Sequence, residues 1–244
     1  MDYTQYKFSY QGEKEKKRAV KKDGLGAVIS AIILLVFVVS VLLSTRLIGR
    51  DIIGETVSAL SRENKVKYYV VVLNKTEFIS DANAYSKKVR SSGGAGYIFS
   101  ENNAYFVALA TYTNEKDAKA VASKNDKTEV KEIVFDLKKY LDKVTDDGES
   151  KRALLTLFSS IDELIDLTFS YDEKTLTFDG ATRRAEVVKN ELIKLKMELT
   201  EKSLKNGEEL LSFISPILAV TQDLTEENLT KNLRYGVCET LDKM

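Results

Sequence analysis

Histidine and tryptophan are absent from this chain of 244 residues, and cysteine and proline occur once each, at Cys238 and Pro216. Without histidine the chain lacks the commonest general base at neutral pH and a leading zinc ligand. A single cysteine excludes an intrachain disulfide. One proline and twelve glycines argue against long flexible linkers. Lysine plus arginine equals aspartate plus glutamate at 37 each, so the net charge is zero, which argues against nucleic acid as a partner held by bulk charge. No HExxH, GxSxG or phosphate-binding loop occurs. The many serines and threonines sit in no activating motif and have no histidine as base. Together these absences predict a protein that is not an enzyme and carries no cofactor or metal.

What is present begins with a run free of charge. Residues 24–45 read GLGAVISAIILLVFVVSVLLST, with Lys21, Lys22 and Asp23 before them and Arg46 after. As a helix the run is about 33 Å long, enough for a hydrocarbon core of about 30 Å. A signal peptide is the competing reading, but its apolar core spans about 7–15 residues and ends in a small-x-small cleavage site. This run is longer, and Ser40 to Arg46 holds no convincing site. A buried core helix would carry a polar face. The sequence therefore predicts an uncleaved single transmembrane helix over 24–45, with the lipid bilayer as partner. Seven basic side chains precede it and four fall within the twenty residues after it. The positive-inside rule then keeps the N-terminus cytoplasmic and the remainder extracytoplasmic at the cell membrane.

The rest divides by composition. Residues 1–23 are a Lys-rich cytoplasmic tail, whose Lys16 to Lys22 suit anionic lipid. Residues 46–66 read as a juxtamembrane stalk with Ile48, Ile52, Ile53, Val57 and Leu60 at helical spacing. Residues 67–137 read as βαββαβ. The strands are Lys67 to Asn74, Ala95 to Phe99, Ala104 to Tyr112 and Val130 to Leu137, by their β-branched and aromatic content. A helix over Glu77 to Ser92 stops at Gly93-Gly94. A second helix starts at Thr113 or Asn114 and presents Ala118, Val121 and Ala122. Residues 138–244 carry four apolar stripes at helical spacing and read as an α-helical bundle. These stripes are Leu154 to Ile165, Ala185 to Leu199, Leu210 to Leu218 and Leu229 to Leu241, with Pro216 kinking or restarting the third. The expected fold class is thus α+β: a transmembrane helix, a small domain with an antiparallel sheet, and a bundle.

The α/β segment resembles the SPOR domain, a peptidoglycan-binding module of bacterial division and sporulation proteins. The residues that carry the resemblance are Tyr68-Tyr69-Val70-Val71-Val72, Asp81-Ala82-Asn83-Ala84, Gly96-Tyr97-Ile98-Phe99, Ala104 to Leu109, and Thr113 to Ala118. They span roughly residues 66–137, under a third of the chain. The resemblance implies a four-stranded antiparallel sheet with helices on one face. Its other face reads glycan strands that lack stem peptides.

Strand alternation selects the residues on that open face. Val70, Val72, Val107 and Leu109 are expected to point into the helix-packed core. Tyr69, Val71, Leu73, Phe106, Ala108 and Ala110 are expected to line the open face as the glycan- or partner-binding surface. The chain departs from the family there. Relatives commonly place Gln near Val71, Gly near Leu73 and a polar residue near Phe106, whereas this face has almost no hydrogen-bonding groups. An apolar face of that kind is seldom left in water. The expectation is that the C-terminal helices, or a partner protein, cover it.

Other clusters read as structure. Asp162, Glu163 and Asp166 lie on the polar side of a bundle helix. Asp172, Glu173 and Asp179 lack the spacing of a calcium loop. Cys238 reads as a small buried hydrophobe. Two functions follow from the sequence: a non-catalytic envelope scaffold of division or sporulation with protein partners, or a module that binds peptidoglycan glycan strands through the sheet. The second expects polar groups from the loops at Asn74, Lys75, Asn102 and Asn103.

Overall fold

The computed structural model describes residues 65–73, 75–124, 127–136, 148–201 and 207–244, all within the part of the chain from Gly49 to Met244. Strand β1 (Lys65–Leu73) leads to helix α1 (Ile79–Ser91), the hairpin β2 (Ile98–Glu101) and β3 (Ala104–Tyr112), helix α2 (Glu115–Ala122) and strand β4 (Thr128–Asp136). Four helices follow: α3 (Gly148–Asp172), α4 (Phe178–Glu201), α5 (Gly207–Val220) and α6 (Leu229–Lys243). The strands form one antiparallel sheet in the order β2-β3-β1-β4. The described fold is therefore α+β.

One expectation is corrected. Among the described residues no helix is long and apolar enough to cross a membrane, so the transmembrane helix is not part of the fold seen here. Residues 24–45, where it was expected, lie outside the described residues, as do the tail and the stalk up to residue 64.

Local chemistry accounts for the turns. Helix α1 ends in a Schellman motif: Gly94 N–H donates to the Val89 carbonyl at 3.0 Å and Gly93 N–H to the Arg90 carbonyl at 3.2 Å, with Gly93 at φ +86°. That left-handed position favours glycine. Asn102 and Asn103, at φ 51° and 60°, make the two-residue β2–β3 hairpin, the geometry in which asparagine is preferred. Asn114 caps α2 by accepting from Lys116 N–H at 2.8 Å.

The sheet lies between two helical layers. On one face α1 contributes Ala82 and Val89 against Val107, Leu73 and Leu109. On the same face α2 contributes Ala118 against Val71 and Ala110. The opposite face carries Val66, Tyr68, Val70 and Val72, and the C-terminal helices cover it. Tyr68 is fully enclosed, stacked on Phe158 of α3 with ring centroids 6.4 Å apart and edge-on to Phe135 of β4. Burial first, and then the neighbouring Asp162 carboxylate, holds its phenol well above the usual range.

The four stripes meet as a bundle core. Leu154, Leu157, Phe158, Ile161 and Leu164 of α3 join Ala185, Val188 and Leu192 of α4, Leu210, Ile214 and Ile217 of α5, and Leu229, Leu233 and Val237 of α6. Helix α5 runs through Pro216 without breaking. Gly236 lets α6 approach α5 closely, because a Cβ there would sit 2.4 Å from Val220 Cγ2.

Leu164 is fully buried in this core, so Leu164→Ala is expected to lower the unfolding free energy by about 2–5 kcal/mol in a urea titration. The exposed pair of Lys194 with Glu191 sets the contrast: Lys194→Ala is expected to cost no more than about 0.5 kcal/mol in the same titration.

Candidate functional site

Helix α6 uses both of its sides, and this creates the site. Its leucine stripe faces the bundle. Its other side, spaced four apart at Arg234, Cys238 and Asp242, meets the α/β part of the chain. Arg234 Nη1 donates to the Gly93 carbonyl at 3.0 Å, and its other end pairs with Asp172 of α3. Arg90 of α1 reaches across: its Nη2 donates to Asn232 Oδ1 at 3.0 Å, and its guanidinium stacks 4.9 Å from the Tyr235 ring centroid. Tyr97 packs edge-on against Tyr235 and donates its hydroxyl to Asp242 at 2.7 Å. Cys238 lies on Val70, Val72 and Ala108, with its Sγ 3.4 Å from Thr111 Oγ1.

This packing leaves one cleft of about 390 Å³ where α6 ends against the sheet. Val70 and Val72 form its floor, Phe99 and Leu241 its apolar walls, and Glu101 and Lys131 its rim. Lys131 is paired with Val70 across the β1–β4 ladder, so its side chain shares the α6 side of the sheet. Its ammonium sits 3.9 Å from the Phe106 ring centroid and pairs with Glu101. That hydrogen bond and charge hold the Glu101 carboxyl below the usual range. Burial, followed by the hydrogen bond to Asp242, raises the Tyr97 phenol. The three carboxylates that line the cleft are thus already engaged: Glu101 by Lys131, Asp242 by Tyr97 and Glu132 by Lys67. Phe106 provides a flat surface beside the rim, and Ser100 a hydroxyl within it. The arrangement can hold and orient a small polar group; among these residues there is no pair set to move a proton.

The residues expected to form one open face fall on two. Phe106 and Ala108 lie on the α6 side. Tyr69, Val71 and Leu73 lie instead on the side of α1 and α2, where Val70 and Val72 were expected, and Val70 and Val72 lie on the α6 side. The parity of β1 is therefore corrected. Its run of Val70, Val71 and Val72 is buried on both sides, so alternation carries no information about direction. Ala110 is also corrected. Register jumps from Val71↔Ala110 to Val72↔Ala108, a bulge at Leu109 that turns both Leu109 and Ala110 toward α1 and α2. Val107 and Leu109 do pack on α1, as expected.

Other candidates resolve into structure. Asn102 and Asn103 form the hairpin turn, and Asn74 lies outside the described residues. Arg184 of α4 donates to Glu163 at 2.6 Å and to Asp166 at 2.7 Å, which ties α4 to α3. The cleft residues Phe99, Ser100, Glu101, Lys131 and Asp242 were not anticipated from sequence. Lys131 and Asp242 lie 111 positions apart and meet only through the docking of α6. The four-residue spacing of Arg234, Cys238 and Asp242 was the signal available for them.

Comparison of the chain with protein-family models, with curated proteins and with solved structures gave no match in any of the three.

The cysteine beneath α6 reports on this docking. Burial pushes its thiol up from the ordinary 9.0 to about 12, against smaller lowering contributions from Thr111 and Arg234. The folded chain keeps a proton that the unfolded chain releases, so the stabilisation is complete below about pH 9 and is lost as pH rises toward about 12. One such proton corresponds to about 1.4 kcal/mol per pH unit. Urea titrations at pH 8 and at high pH are expected to show a larger alkaline loss for the native chain than for Cys238→Ala. A thiol reagent at pH 8 is expected to label Cys238 only after unfolding.

Proposed function

We propose that the chain is a non-catalytic scaffold of the bacterial cell envelope, located at the cell membrane and acting through protein contacts in division or sporulation. The observation that carries this reading is the covered sheet. SPOR domains bind glycan on the sheet face opposite their two helices. Here the residues of that face, Val70, Val72 and Ala108, are buried beneath α6. The expected resemblance supplies the envelope setting. The uncharged run 24–45 with its basic flank, outside the described residues, supports the location.

A second reading keeps the glycan and places it in the remaining cleft. The observation in its favour is the polar rim of Ser100, Glu101 and Lys131 beside Phe106, a combination of ring and hydrogen-bonding groups suited to sugars.

Pelleting of the detergent-solubilised full chain with purified sacculi separates the two. The scaffold reading expects no saturable binding. Saturable binding that is lost in Phe106→Ala or Lys131→Ala would overturn it in favour of the glycan. A fluorescent fusion of the full chain is expected to concentrate at septa or forespore membranes, and a uniform membrane signal would count against both readings.

A further inference from the structure

Strand β4 closes the sheet at one edge. It is nine residues long and pairs with β1 in continuous register, from Lys65↔Asp136 to Leu73↔Thr128. Among the described residues, no backbone group other than those of β1 bonds to Glu129 through Val134. Alternate residues of that stretch therefore turn their N–H and C=O groups outward. Such an edge is a template for another strand, and proteins blunt it with proline, a bulge or charge. Strand β4 has no proline and no bulge against β1. Its charges, Glu129, Lys131 and Glu132, stand among Val130, Ile133 and Val134. The opposite edge, β2, is only four residues long.

We propose that the outer edge of β4 pairs with β4 of a second copy of this chain, antiparallel about a two-fold axis at Val130. The two four-stranded sheets then continue into one. The contact concerns the strand's edge, whereas the cleft lies on the sheet's face.

Side-chain direction and charge select the register. Ile133 packs on the α6 side and Val130 on the side of α1 and α2, so odd and even positions of β4 take opposite faces. A two-fold normal to the sheet keeps like faces together. Odd then meets odd, even meets even, and the axis passes through a residue. An axis at Glu129, Lys131 or Glu132 sets a charge against its own copy. An axis at Val134 sets Glu132 against Asp136. An axis at Ile133 makes no ion pair, because Lys131 meets Phe135 and Glu132 meets Val134. An axis at Val130 sets Glu129 against Lys131 twice, Thr128 against Glu132 twice and Val130 against itself. Opposite charges directly across stabilise paired strands and like charges destabilise them.

The same pattern favours a second copy over a foreign strand. The occupant must present a glutamate, an apolar residue and a lysine in succession, and β4 itself carries them. The ion pairs of β4 engage Lys131 with Glu101 and Glu132 with Lys67, and none engages Glu129 among the described residues. An ammonium has three donors, so Lys131 can keep Glu101 and take a carboxylate from the second copy. A self-complementary patch of this kind is what a two-fold dimer requires.

Crosslinking of the full chain in detergent, carrying Cys238→Ala, tests the register. Across the axis the two Val130 Cα atoms lie about 5 Å apart, within disulfide reach. The two Val134 Cα atoms lie about 27 Å apart. Val130→Cys is expected to oxidise to an interchain dimer about 10-fold or more faster than Val134→Cys, although Val134 is the more exposed of the two. Sedimentation of the otherwise native full chain reads the charges. Glu129→Lys sets lysine against Lys131 twice and is expected to raise the dimer Kd about 10-fold, and adding Lys131→Glu is expected to bring it back. A chain that stays monomeric across the titration overturns the proposal. Equal crosslinking at the two positions, or a dimer indifferent to Glu129→Lys, assigns the contact to another surface and overturns it too.

Discussion

The docking of α6 across the sheet is the constraint on which the rest depends. The sheet has apolar residues on both faces, so neither face can be left to water. Helices α1 and α2 satisfy one face from within the α/β segment. On the other, α3 covers Tyr68, and Val70, Val72 and Ala108 are covered from more than a hundred residues away by α6, a short helix that must also complete the bundle. Its leucine stripe and its Arg234–Cys238–Asp242 side perform these two tasks at once. The polar contacts at the junction fix its position: Arg90 to Asn232, Arg234 to Gly93 and Tyr97 to Asp242. Apolar burial supplies most of the driving force, while these hydrogen bonds, two of them partly buried, set rotation and register.

Much of the fold was legible because period and punctuation agreed. The bundle stripes were readable since each helix turns one apolar side to the bundle core, and that side leaves its 3.6-residue signature in the sequence. The glycine pair after α1 and the asparagine pair before β3 were readable as stops and turns for the same reason: their backbone positions admit few residue types. The site was less legible. Val70 to Val72 are buried on both faces, which erases the alternation that would have assigned them. One extra residue at Leu109 then reversed the far end of β3. Both errors fell on the strands whose facing mattered most.

The cleft shows a different limit. Lys131, Glu101 and Phe106 are ordinary residues on three separate strands, and only the sheet order β2-β3-β1-β4 brings them to one end of one face. Their meaning arises from α6 stopping short of that end. A reader of the sequence sees the leucines of α6 first, because apolar periodicity is the stronger signal. The opposite side, with arginine, cysteine and aspartate, looks like a solvated surface until the sheet is placed against it.

The long separation between the sheet and its cover has a consequence for biogenesis. Thr111 and Cys238 are 127 residues apart, and Tyr97 and Asp242 are 145 apart. At synthesis rates of about 5–20 residues per second, the face of β1 and β3 stands bare for on the order of ten seconds before α6 exists. During that interval the nascent chain presents an uncovered apolar sheet. Helix α6, emerging after the sheet, acts as its internal chaperone, and this order of emergence makes the uncovered sheet a transient stage in the life of every copy.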